Sequence, residues 1–349
     1  MKILVTGGAG FIGSNFIKLL LNERTDIEVI NFDCLTYAGN LDNLAEVERF
    51  ANYRFIRGNI CDAQAVCEAM SSGVEAVINF AAESHVDRSI YSPNEFVQTN
   101  VLGVQVLLNA AIEFKVGRFV QISTDEVMGS LEAGEFFTED SPLRPNSPYA
   151  ASKSAAEHLA RAANRTFGLD TVIIRSSNAY GPYQFPEKLI PLMISNAIKD
   201  EPLPVYGDGL NERDWIYVED LCRAIEAVLF HGRGGEIYNI GARTVKTNIE
   251  VVRLLLKILG KPDSLIVFVK DRPGHDRRYA TDPGKIEREL GWGPRQQFEA
   301  GLSKTVDWYL NNSEWVERAR SRQFQEFYQL NYSSRGLESP RHRIPSGRD

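Results

Sequence analysis

Tyr149 and Lys153 have the residue types and the spacing that hydride transfer requires. On a helix, residues four apart lie on one face, so the lysine ammonium group would lie beside the phenol. A free phenol has a pKa of about 10. The lysine and an oxidised nicotinamide together would lower that pKa enough for Tyr149 to act as a base at neutral pH. Because this spacing also occurs by chance on surface helices, the prediction depends on the segments that surround the pair.

Thr124, Asp125 and Glu126 directly follow the apolar run 119–122, which we predict to be a strand. The carboxyl ends of the strands form the ligand-binding edge of an open parallel sheet. There the Thr124 hydroxyl would hydrogen-bond the same substrate oxygen as Tyr149. Two adjacent carboxylates in a confined site drive their pKa values apart, which supplies an acid and a base together. The triplet therefore predicts proton transfers in addition to hydride transfer; the alternative is that the two carboxylates only cap the next segment.

Gly7, Gly10 and Gly13 lie between a predicted strand and a predicted helix, as in a dinucleotide-binding loop. The first glycine permits a tight turn, the second lets the backbone approach a pyrophosphate, and the third lets the helix pack on the strand. Asp33 ends the next predicted strand, where its carboxylate would bind the ribose hydroxyls and repel a 2′-phosphate. The loop thus predicts NAD rather than NADP. The alternatives are a glycine-rich turn without a ligand and an Asp33 that only stabilises a turn.

Short apolar runs alternate with helical patterns through the first half of the chain. Near-continuous apolar strands separated by helices are what a parallel sheet covered on both faces requires. We therefore predict an α/β fold with a doubly wound parallel sheet, the Rossmann arrangement. After a third strand, Asn59 or Asp62 would hydrogen-bond the adenine amino group. The clearest predicted elements are a helix at 11–21 and strands at 3–5, 29–32, 76–80, 119–122 and 172–174.

The sequence changes character after residue 182, where segments rich in Pro, Gly and Tyr resemble ligand-contacting loops. We predict an NAD-binding domain over 1–180 with return segments near 212–242, and a smaller, interleaved substrate-binding domain over 181–332. Few apolar anchors remain over 333–349, so we expect that tail to be disordered. In the second half we further predict a strand at 236–240 and helices at 219–230 and 248–259, the last one capped by Thr247.

The 349 residues include 46 acidic and 39 scattered basic ones, for a net charge of −7. A role on nucleic acid or on a membrane surface is therefore not indicated. Because no signal peptide fits before the first strand and no apolar stretch reaches the length of a membrane span, we expect a cytoplasmic protein. The spacing of Cys34, Cys61, Cys67 and Cys222 does not suit zinc, so we predict buried free thiols and no metal site.

Longer segments around these residues resemble the extended short-chain dehydrogenase/reductase family and, within it, the dTDP-glucose 4,6-dehydratases. The glycine loop and the Tyr-x-x-x-Lys pair are common to the whole family, whereas the triplet TDE combined with PEKLIP and RPGHDRRYA is far more specific. The resemblance covers almost the whole predicted folded chain. The matching segments are GGAGFIGSN, NFDCLTYAGNL, NFAAESHVDRSI, STDEVMG, PNSPYAASK, GPYQFPEKLIP, YGDGLNERDWIYVEDLC and DRPGHDRRYA.

The resemblance implies an NAD-dependent redox cycle on a nucleotide-linked hexose, preferably dTDP-glucose. Tyr149 would take the proton of the 4-hydroxyl group as hydride leaves carbon 4 for NAD⁺. Glu126 would then remove the hydrogen on carbon 5 while Asp125 protonates the departing 6-hydroxyl group. Return of the hydride to carbon 6 would give a 4-keto-6-deoxyhexose. The implied catalytic residues are Thr124, Asp125, Glu126, Tyr149 and Lys153.

The same resemblance implies the residues that bind the two ligands. Arg213 and Arg272 would pair with phosphates, and Tyr206 would stack on the base; an internal ion pair is the alternative for Arg213. The implied cofactor-binding residues are Gly7, Gly10, Phe11, Ile12, Gly13, Asp33, Thr36, Asp62, Ala81, Tyr149 and Lys153. The implied substrate-binding residues are His85, Thr124, Asn178, Glu187, Lys188, Leu189, Tyr206, Arg213, Asn248, Arg272 and His275.

Three positions depart from the family pattern. Met128 stands where a tyrosine is usual, Ala179 where an asparagine is usual, and Asn59 where an aspartate is common. We expect the first two to lie near the substrate. The alternative reactions are therefore a UDP-hexose or UDP-N-acetylhexosamine dehydratase that yields a 5,6-alkene, and an NDP-hexose 4-epimerase. An NAD-binding sensor without catalysis would not need the five catalytic residues together. The resemblance also implies a homodimer joined through helices that include 149–165.

Overall fold

The structure, a computed structural model, describes residues 1–337. Within that range it has an α/β architecture in which most strands alternate with helices. The strands are β1 (Lys2–Thr6), β2 (Glu28–Asp33), β3 (Tyr53–Arg57), β4 (Ala76–Asn79), β5 (Arg118–Thr124), β6 (Thr171–Ser176), β7 (Asn178–Tyr180), β8 (Leu203–Tyr206), β9 (Glu212–Tyr217), β10 (Ile237–Ile240), β11 (Val245–Thr247) and β12 (Ile266–Val269).

The helices cover the sheet and build the second half of the molecule. A π-helical stretch, Gln98–Gly103, joins the fourth helix to the fifth, and a short 3₁₀ turn at Asp125–Met128 follows β5. The α-helices are α1 (Phe11–Glu23), α2 (Ala63–Met70), α3 (Val86–Tyr91), α4 (Pro93–Val97), α5 (Val104–Glu113), α6 (Pro148–Phe167), α7 (Leu189–Ile198), α8 (Val218–His231), α9 (Asn248–Leu259), α10 (Gly284–Leu290), α11 (Phe298–Asn311), α12 (Ser313–Ala319) and α13 (Arg322–Ser333).

The main sheet has seven parallel strands in the order β3-β2-β1-β4-β5-β6-β10. One apolar core lies between this sheet and the pair α1 and α8, and another between the opposite face and α2 and α5. Helices on both faces explain why the inner strands are mostly apolar. The strand order reverses between β1 and β4, where such sheets open a ligand-binding crevice at their carboxyl edge. The predicted doubly wound α/β fold is confirmed.

The second half of the chain forms smaller units beside this sheet. A three-stranded sheet, β11-β9-β7, and a two-stranded sheet, β12-β8, lie near a third apolar core that includes residues of α7, α9 and α11. The chain returns to the main sheet at β10, inside the predicted return segment. It also returns at α10, whose Ile286 joins the core beneath α1, a segment that the sequence analysis assigned to the second domain.

Local sequence signals explain where two important helices begin. Thr247 caps α9: its hydroxyl accepts a bond from the Glu250 N–H at 3.3 Å, and the Glu250 carboxylate accepts the Thr247 N–H at 2.7 Å. This reciprocal capping box confirms the predicted start. Ser147 caps α6: its hydroxyl accepts the Ala150 N–H at 3.1 Å, and Pro148 follows in the first turn. Tyr149 is therefore fixed in the first turn of α6.

Three expectations need correction. Helix α7 occupies part of the region that we predicted as loops, because the sequence Leu189–Ile198 packs its apolar side chains into the third core. Of the predicted disordered tail, 333–337 is packed: the Arg335 side chain is buried and bonds Asp87 and the Asp271 carbonyl oxygen. The remainder, 338–349, lies outside the described residues.

The cysteine prediction also needs a correction. Cys222 is buried, whereas Cys34, Cys61 and Cys67 are only partly buried; all four are free thiols. Among residues 1–337, no helix combines the length and the apolar character needed to cross a membrane.

Candidate active site

A deep cleft opens at the carboxyl edge of the main sheet. Its walls come from the β1–α1 loop, the ends of β2, β4, β5 and β6, the first turns of α6, and the segment 184–188. It brings together four of the predicted substrate residues and ten of the eleven predicted cofactor residues. Those that line it are Gly7, Gly10, Phe11, Ile12, Gly13, Asp33, Thr36, Ala81, Thr124, Tyr149, Lys153, Asn178, Glu187 and Lys188, together with Asp125 and Glu126.

The glycine loop has the shape of a pyrophosphate cradle. Gly7 has a φ of +67°, and a Cβ there would come within 2.5 Å of the Ala81 nitrogen. A Cβ on Gly13 would come within 2.5 Å of the Gly7 carbonyl oxygen, so only glycine permits α1 to approach β1 this closely. Gly10 precedes α1 and offers no side-chain cap, which leaves the first N–H groups of the helix facing the cleft. Such a helix start binds an anionic phosphate group well.

Asp33 lies at the end of β2, where it both shapes the loop and lines the cleft. Its carboxylate accepts the Ala9 N–H at 2.9 Å and the Leu35 N–H at 2.8 Å. Burial raises the pKa of Asp33, although both backbone hydrogen bonds oppose the shift. The carboxylate oxygens retain lone pairs for further donors. Asp33 is thus placed to receive ribose hydroxyl groups while it also stabilises the turn.

The structure separates the two candidates for the adenine contact. Asn59 lines the cleft. Asp62 instead lies on the surface at the start of α2 and accepts the N–H groups of Gln64 and Ala65 at 3.0 and 3.2 Å. Asp62 therefore does not line the cleft, and its carboxylate serves as a helix cap, a role that aspartate commonly fills; its contact with the adenine stays a prediction.

Tyr149 and Lys153 lie on one face of α6, as predicted, and both are buried. The Lys153 ammonium group donates to the Ile122 carbonyl oxygen at 2.6 Å. Burial lowers the pKa of Lys153 to about 8, against the opposing charge of Glu157. Burial, Glu126 and Asp125 raise the pKa of Tyr149, and a hydrogen bond with Thr124 opposes that shift. The lowered tyrosine pKa that we expected is therefore absent from the protein by itself.

Asp125 and Glu126 begin the 3₁₀ turn that follows β5. The Thr124 hydroxyl accepts the Glu126 N–H at 3.3 Å and lies 3.3 Å from an Asp125 carboxylate oxygen, to which it donates. Asp125 is 1% exposed, and its Oδ2 has no partner within residues 1–337. Burial, Glu126 and Asp214 hold the pKa of Asp125 well above its usual range. Burial therefore favours the protonated, neutral form of this acid.

Glu126 has different electrostatic surroundings. Burial raises its pKa, but the positive charges of Arg272, Lys188 and Arg213 act against that rise. Lys188 belongs to the segment 184–188, and Arg213 and Arg272 belong to the second half of the chain. These are residues that we expected to bind the nucleotide diphosphate. Within the carboxylate pair, the surroundings of Asp125 favour its protonated form, whereas nearby cations favour ionisation of Glu126.

The remaining predicted substrate residues do not line the cleft but cluster beside it. The Tyr206 hydroxyl donates to Asp87 at 2.9 Å, and its ring lies 6.0 Å from the ring of His275. Burial, Arg272 and Arg213 lower the pKa of His275 to about 2. The seven residues outside the lining are His85, Leu189, Tyr206, Arg213, Asn248, Arg272 and His275.

Arg213 and Arg272 lie within electrostatic reach of Glu126 although they do not line the cleft. Arg213 donates to the carbonyl oxygens of Glu212 and Asp276 and stacks 4.2 Å from the centre of the Tyr279 ring. The Nε of Arg272 is buried and has no partner in the described part of the chain. The Arg272 Nε–H group therefore remains available to donate a hydrogen bond to an anion.

The two departures on the substrate side have different positions. Ala179 lines the cleft. Met128 is buried in a small apolar cluster with Val127 and Phe137, and its sulfur lies 3.6 Å from an Arg175 nitrogen. The expectation that Met128 lies beside the substrate is therefore not met; the residue fills the core beneath the turn.

Sequence reasoning missed two acidic groups near the site. Glu83 lines the cleft, and burial together with Glu187 and Glu95 raises its pKa to about 7. Asp214 raises the pKa of Asp125, and burial raises its own pKa to about 6. Glu83 follows β4 by only a few residues, so its position at the carboxyl edge was a usable signal. No such signal marked Asp214, because β9 is distant from Asp125 in the sequence and comes near it only in the folded chain.

Comparison with known proteins finds chains of similar sequence and fold. A family model described as GDP-mannose 4,6 dehydratase matches residues 4–305. The dTDP-glucose 4,6-dehydratase of Shigella flexneri is 49% identical over 361 residues, covering 96% of this chain and all of the relative. The dTDP-glucose 4,6-dehydratase of Streptomyces venezuelae, solved with NAD bound, has a TM-score of 0.89 and 52% identity, covering 91% of this chain and 100% of that one.

A wider group of nucleotide-sugar enzymes shares the fold. The UDP-glucose 4-epimerase of Thermus thermophilus, solved in complex with NAD, has a TM-score of 0.84 and 32% identity, covering 89% of this chain and 100% of that one. The match of the family model and the near-complete coverage at about half identity agree with each other. The chain therefore belongs to the GDP-mannose 4,6 dehydratase family of extended short-chain dehydrogenase/reductases, together with the dTDP-glucose 4,6-dehydratases.

Proposed function

We propose that the protein is an NAD-dependent dTDP-glucose 4,6-dehydratase that forms the dTDP-linked 4-keto-6-deoxyhexose. The observation that carries the proposal is the electrostatic difference between Asp125 and Glu126, which lie in one cleft with Tyr149 and Lys153. An enzyme that only moves hydride has no need of an acid held toward its neutral form beside a carboxylate whose ionisation is favoured by cations. Relatives that share about half of their residues with this chain are named dTDP-glucose 4,6-dehydratases, which supports the same substrate and reaction.

The cleft fits NAD. The glycine cradle would hold the pyrophosphate, Asp33 the adenosine ribose, and Asn59 the adenine edge, while Tyr149 and Lys153 would face the nicotinamide end. The negative charge of Asp33 disfavours a 2′-phosphate. When bound, NAD⁺ supplies the acceptor for the hydride of carbon 4 and, once reduced, the donor that returns it to carbon 6.

In the oxidation step, Tyr149 accepts the proton of the 4-hydroxyl group. Thr124 lies beside Tyr149 and hydrogen-bonds the same oxygen, which orients the hexose in the cleft. Lys153, held by the Ile122 carbonyl oxygen, presents its positive charge on the same face of α6 and stabilises the phenolate. The resulting ketone at carbon 4 makes the hydrogen on carbon 5 acidic.

In the elimination step, the Glu126 carboxylate removes the hydrogen on carbon 5 as a proton. The carboxylic acid of Asp125 protonates the 6-hydroxyl group, the bond from carbon 6 to oxygen breaks, and water leaves. Glu126 returns its proton to carbon 5 as carbon 6 receives hydride. The proton taken by Tyr149 replaces the one given by Asp125, so the net products are one water and one 4-keto-6-deoxyhexose. Each positioned acid or base contributes about 10²- to 10⁴-fold.

The cations beside Glu126 favour a diphosphate substrate. Three cations approach this end of the cleft. They are Lys188 directly before α7, Arg213 on β9, and Arg272 in the segment after β12. Lys188 donates to the Ser84 carbonyl oxygen at 2.6 Å, which fixes the side chain at the wall of the cleft. We assign the diphosphate to these cations and the base to Tyr206. The nearby residues His85, Asn178, Glu187, Leu189, Asn248 and His275 complete the proposed substrate site.

The proposal includes a homodimer in the cytoplasm. Val97 and Leu102 are 50% and 51% exposed on the helical segment that packs beside α6, so an apolar face remains there. A second copy covering this face and α6 would bury it. Analytical ultracentrifugation of the purified protein tests the dimer, and Leu102→Glu is expected to shift it toward the monomer.

The proposal is tested by incubating the purified protein with NAD⁺ and, separately, dTDP-glucose, UDP-glucose and UDP-N-acetylglucosamine. Product NMR should show a methyl group at carbon 6 and a ketone at carbon 4, formed fastest from dTDP-glucose. A 5,6-alkene or an epimer of unchanged mass identifies one of the two alternative reactions. Binding of all three sugars without any dehydrated product overturns the proposal.

A further inference from the structure

We infer that α13 and the residues just after it position the nucleotide-binding wall of the substrate site, with Tyr332, Asn331 and Arg335 acting through Tyr206, Asp87 and Arg272. The inference rests on the proposed function, because it takes Tyr206 and Arg272 as the residues that receive the nucleotide diphosphate. It adds a set of positioning residues that lie more than 120 positions from Tyr206 in the sequence.

The aromatic face of α13 covers the outside of the cleft wall. The ring of Phe324 lies 6.0 Å from that of Phe185, which itself lines the cleft. The ring of Phe327 lies 5.4 Å from that of His85 and 4.0 Å from the guanidinium group of Arg88. Arg88 in turn pairs with Glu187, another lining residue, at 2.9 Å. The helix therefore supports the wall at several points rather than only ending the chain.

Tyr206 is held by α13 through both its ring and its hydroxyl group. The rings of Tyr206 and Tyr332 stack with their centres 5.8 Å apart and an angle of 26° between their planes. The Tyr206 hydroxyl accepts a hydrogen bond from the Asn331 side chain at 2.7 Å and donates to Asp87 at 2.9 Å. With one face packed and the hydroxyl used in both directions, the ring has a fixed orientation, which reduces the entropy that a stacking ligand must overcome.

Arg335 and Arg272 both act on the buried carboxylate of Asp87. Asp87 is buried, and Arg335 lies 3.4 Å from its carboxylate. Arg335 also donates to the Asp271 carbonyl oxygen at 3.1 Å and accepts the Lys270 N–H at 3.0 Å, which ties the end of α13 to the segment that carries Arg272. Asp87 already acts on the charge of Arg272, whose Nε is unpartnered within residues 1–337, and without Arg335 it would attract Arg272 more strongly. The arginine intended for the diphosphate would then be occupied.

A matched control exists on the same part of the chain. Arg320 and Arg335 are both 9% exposed, and each donates to one carboxylate and one backbone carbonyl oxygen; Arg335 also donates to the Asn331 amide oxygen. The partners of Arg320 are Glu201 and Ser195, which are outside the proposed site. Arg320→Met removes an equally buried arginine, whose partner Glu201 is more exposed than Asp87, without touching Tyr206, Asp87 or Arg272.

The experiment compares the full-length wild type with Arg335→Met, Tyr332→Leu and Arg320→Met. For each protein, the Kd of dTDP and of NAD⁺ is measured by calorimetry, and KM and kcat are measured with dTDP-glucose. We expect the first two variants to raise KM and the Kd of dTDP about tenfold, since each loses one oriented contact of about 1.4 kcal/mol. Their kcat and their Kd for NAD⁺ should stay within about twofold of wild type. Arg320→Met should change none of these values.

Three outcomes overturn the inference. In the first, both variants bind dTDP as tightly as wild type. In the second, they bind it more tightly, which would mean that Tyr332 competes with the base for Tyr206. In the third, Arg320→Met weakens dTDP binding as much as Arg335→Met does, which would reduce the effect to general stability. Arg335→Lys keeps the charge with fewer donors and serves if the methionine variant does not fold; it should raise the Kd of dTDP in the same direction.

The design also separates this inference from the proposed function. If wild type turns over dTDP-glucose and the variants do not differ from it, only the inference fails. If wild type neither turns over dTDP-glucose nor binds dTDP, the proposed function and the inference fail together.

Discussion

Asp125 and Glu126 are neighbours in the chain, yet they differ in their electrostatic surroundings. Asp125 faces the carboxylates of Glu126 and Asp214 and has an unpartnered buried oxygen within residues 1–337. Glu126 faces Arg272, Lys188 and Arg213. An acid whose neutral form is favoured and a carboxylate whose ionised form is favoured by cations are thereby adjacent in the chain, a separation of roles that water elimination requires.

Replacing Asp125 by Asn should stop the elimination and spare the oxidation. The amide keeps the size of the side chain but has no acidic proton, so we expect dehydration to slow by about 10²- to 10⁴-fold. In a single turnover with dTDP-glucose, the 4-ketone and NADH should accumulate and be visible as NADH absorbance. Asp208→Asn, at an exposed acid that pairs with Arg277, is the control and should behave as wild type. Normal dehydration by Asp125→Asn would show that another group is the acid.

Replacing Glu126 by Gln should block removal of the hydrogen on carbon 5 while hydride transfer remains possible. With substrate in D₂O, wild type should place solvent deuterium at carbon 5 of the product, because the proton held by Glu126 exchanges before it returns. The variant should leave the hydrogen on carbon 5 of recovered substrate and ketone unexchanged, as followed by NMR. Dehydration by the variant at the wild-type rate would disprove the assignment of the base.

The pH dependence should reflect the buried ammonium group of Lys153. Burial lowers its pKa to about 8, so Lys153 carries its charge below that pH and loses it as the pH rises. Since the charge stabilises the Tyr149 phenolate, kcat/KM should fall above a pH of about 8. Lys153→Met should be slower by about 100-fold or more and lack this descending limb. A wild-type profile that stays flat up to a pH of about 10, the ordinary lysine range, would contradict this role.

The ion pair of Arg175 with Glu157 should contribute to stability far more than a surface pair. Both side chains are buried, and the guanidinium group contacts both carboxylate oxygens, at 3.1 and 2.8 Å. Arg175→Met leaves the Glu157 charge buried without its partner, so the free energy of unfolding should fall by about 3–5 kcal/mol. Arg223→Met breaks an exposed pair with Glu23 and should cost about 1 kcal/mol or less. Urea unfolding of both variants measures the difference, and equal losses would contradict it.

Much of this fold is predictable because its signals are local. Apolar runs matched β1, β2, β4, β5 and β6, and the capping residue Thr247 marked the start of α9. The glycine loop and the Tyr-x-x-x-Lys pair are contiguous motifs whose geometry follows from one turn or one helix. Residues that act within such a motif were therefore placed correctly in the cleft.

The failures concern residues whose position depends on competing local roles or on distant contacts. Asp62 lies at the start of α2, where its carboxylate caps the helix. The Met128 side chain packs into the apolar cluster beneath the 3₁₀ turn rather than into the cleft. The contact of Arg335 with Asp87 joins residues 248 positions apart, and the polar composition of the tail gave no sign of it. The Tyr149 pKa was expected to be lowered by Lys153 together with bound NAD⁺; in the protein by itself, burial raises it.

The central claim is that one cleft carries out oxidation, elimination and reduction on a single hexose, so the hydride that leaves carbon 4 must arrive at carbon 6. The most direct measurement supplies dTDP-glucose that carries deuterium at carbon 4 and locates the label in the product by NMR. The account predicts deuterium in the methyl group at carbon 6 of the 4-keto-6-deoxyhexose. Deuterium that remains on carbon 4 of a sugar alcohol, or that is absent from the methyl group of a dehydrated product, would contradict it.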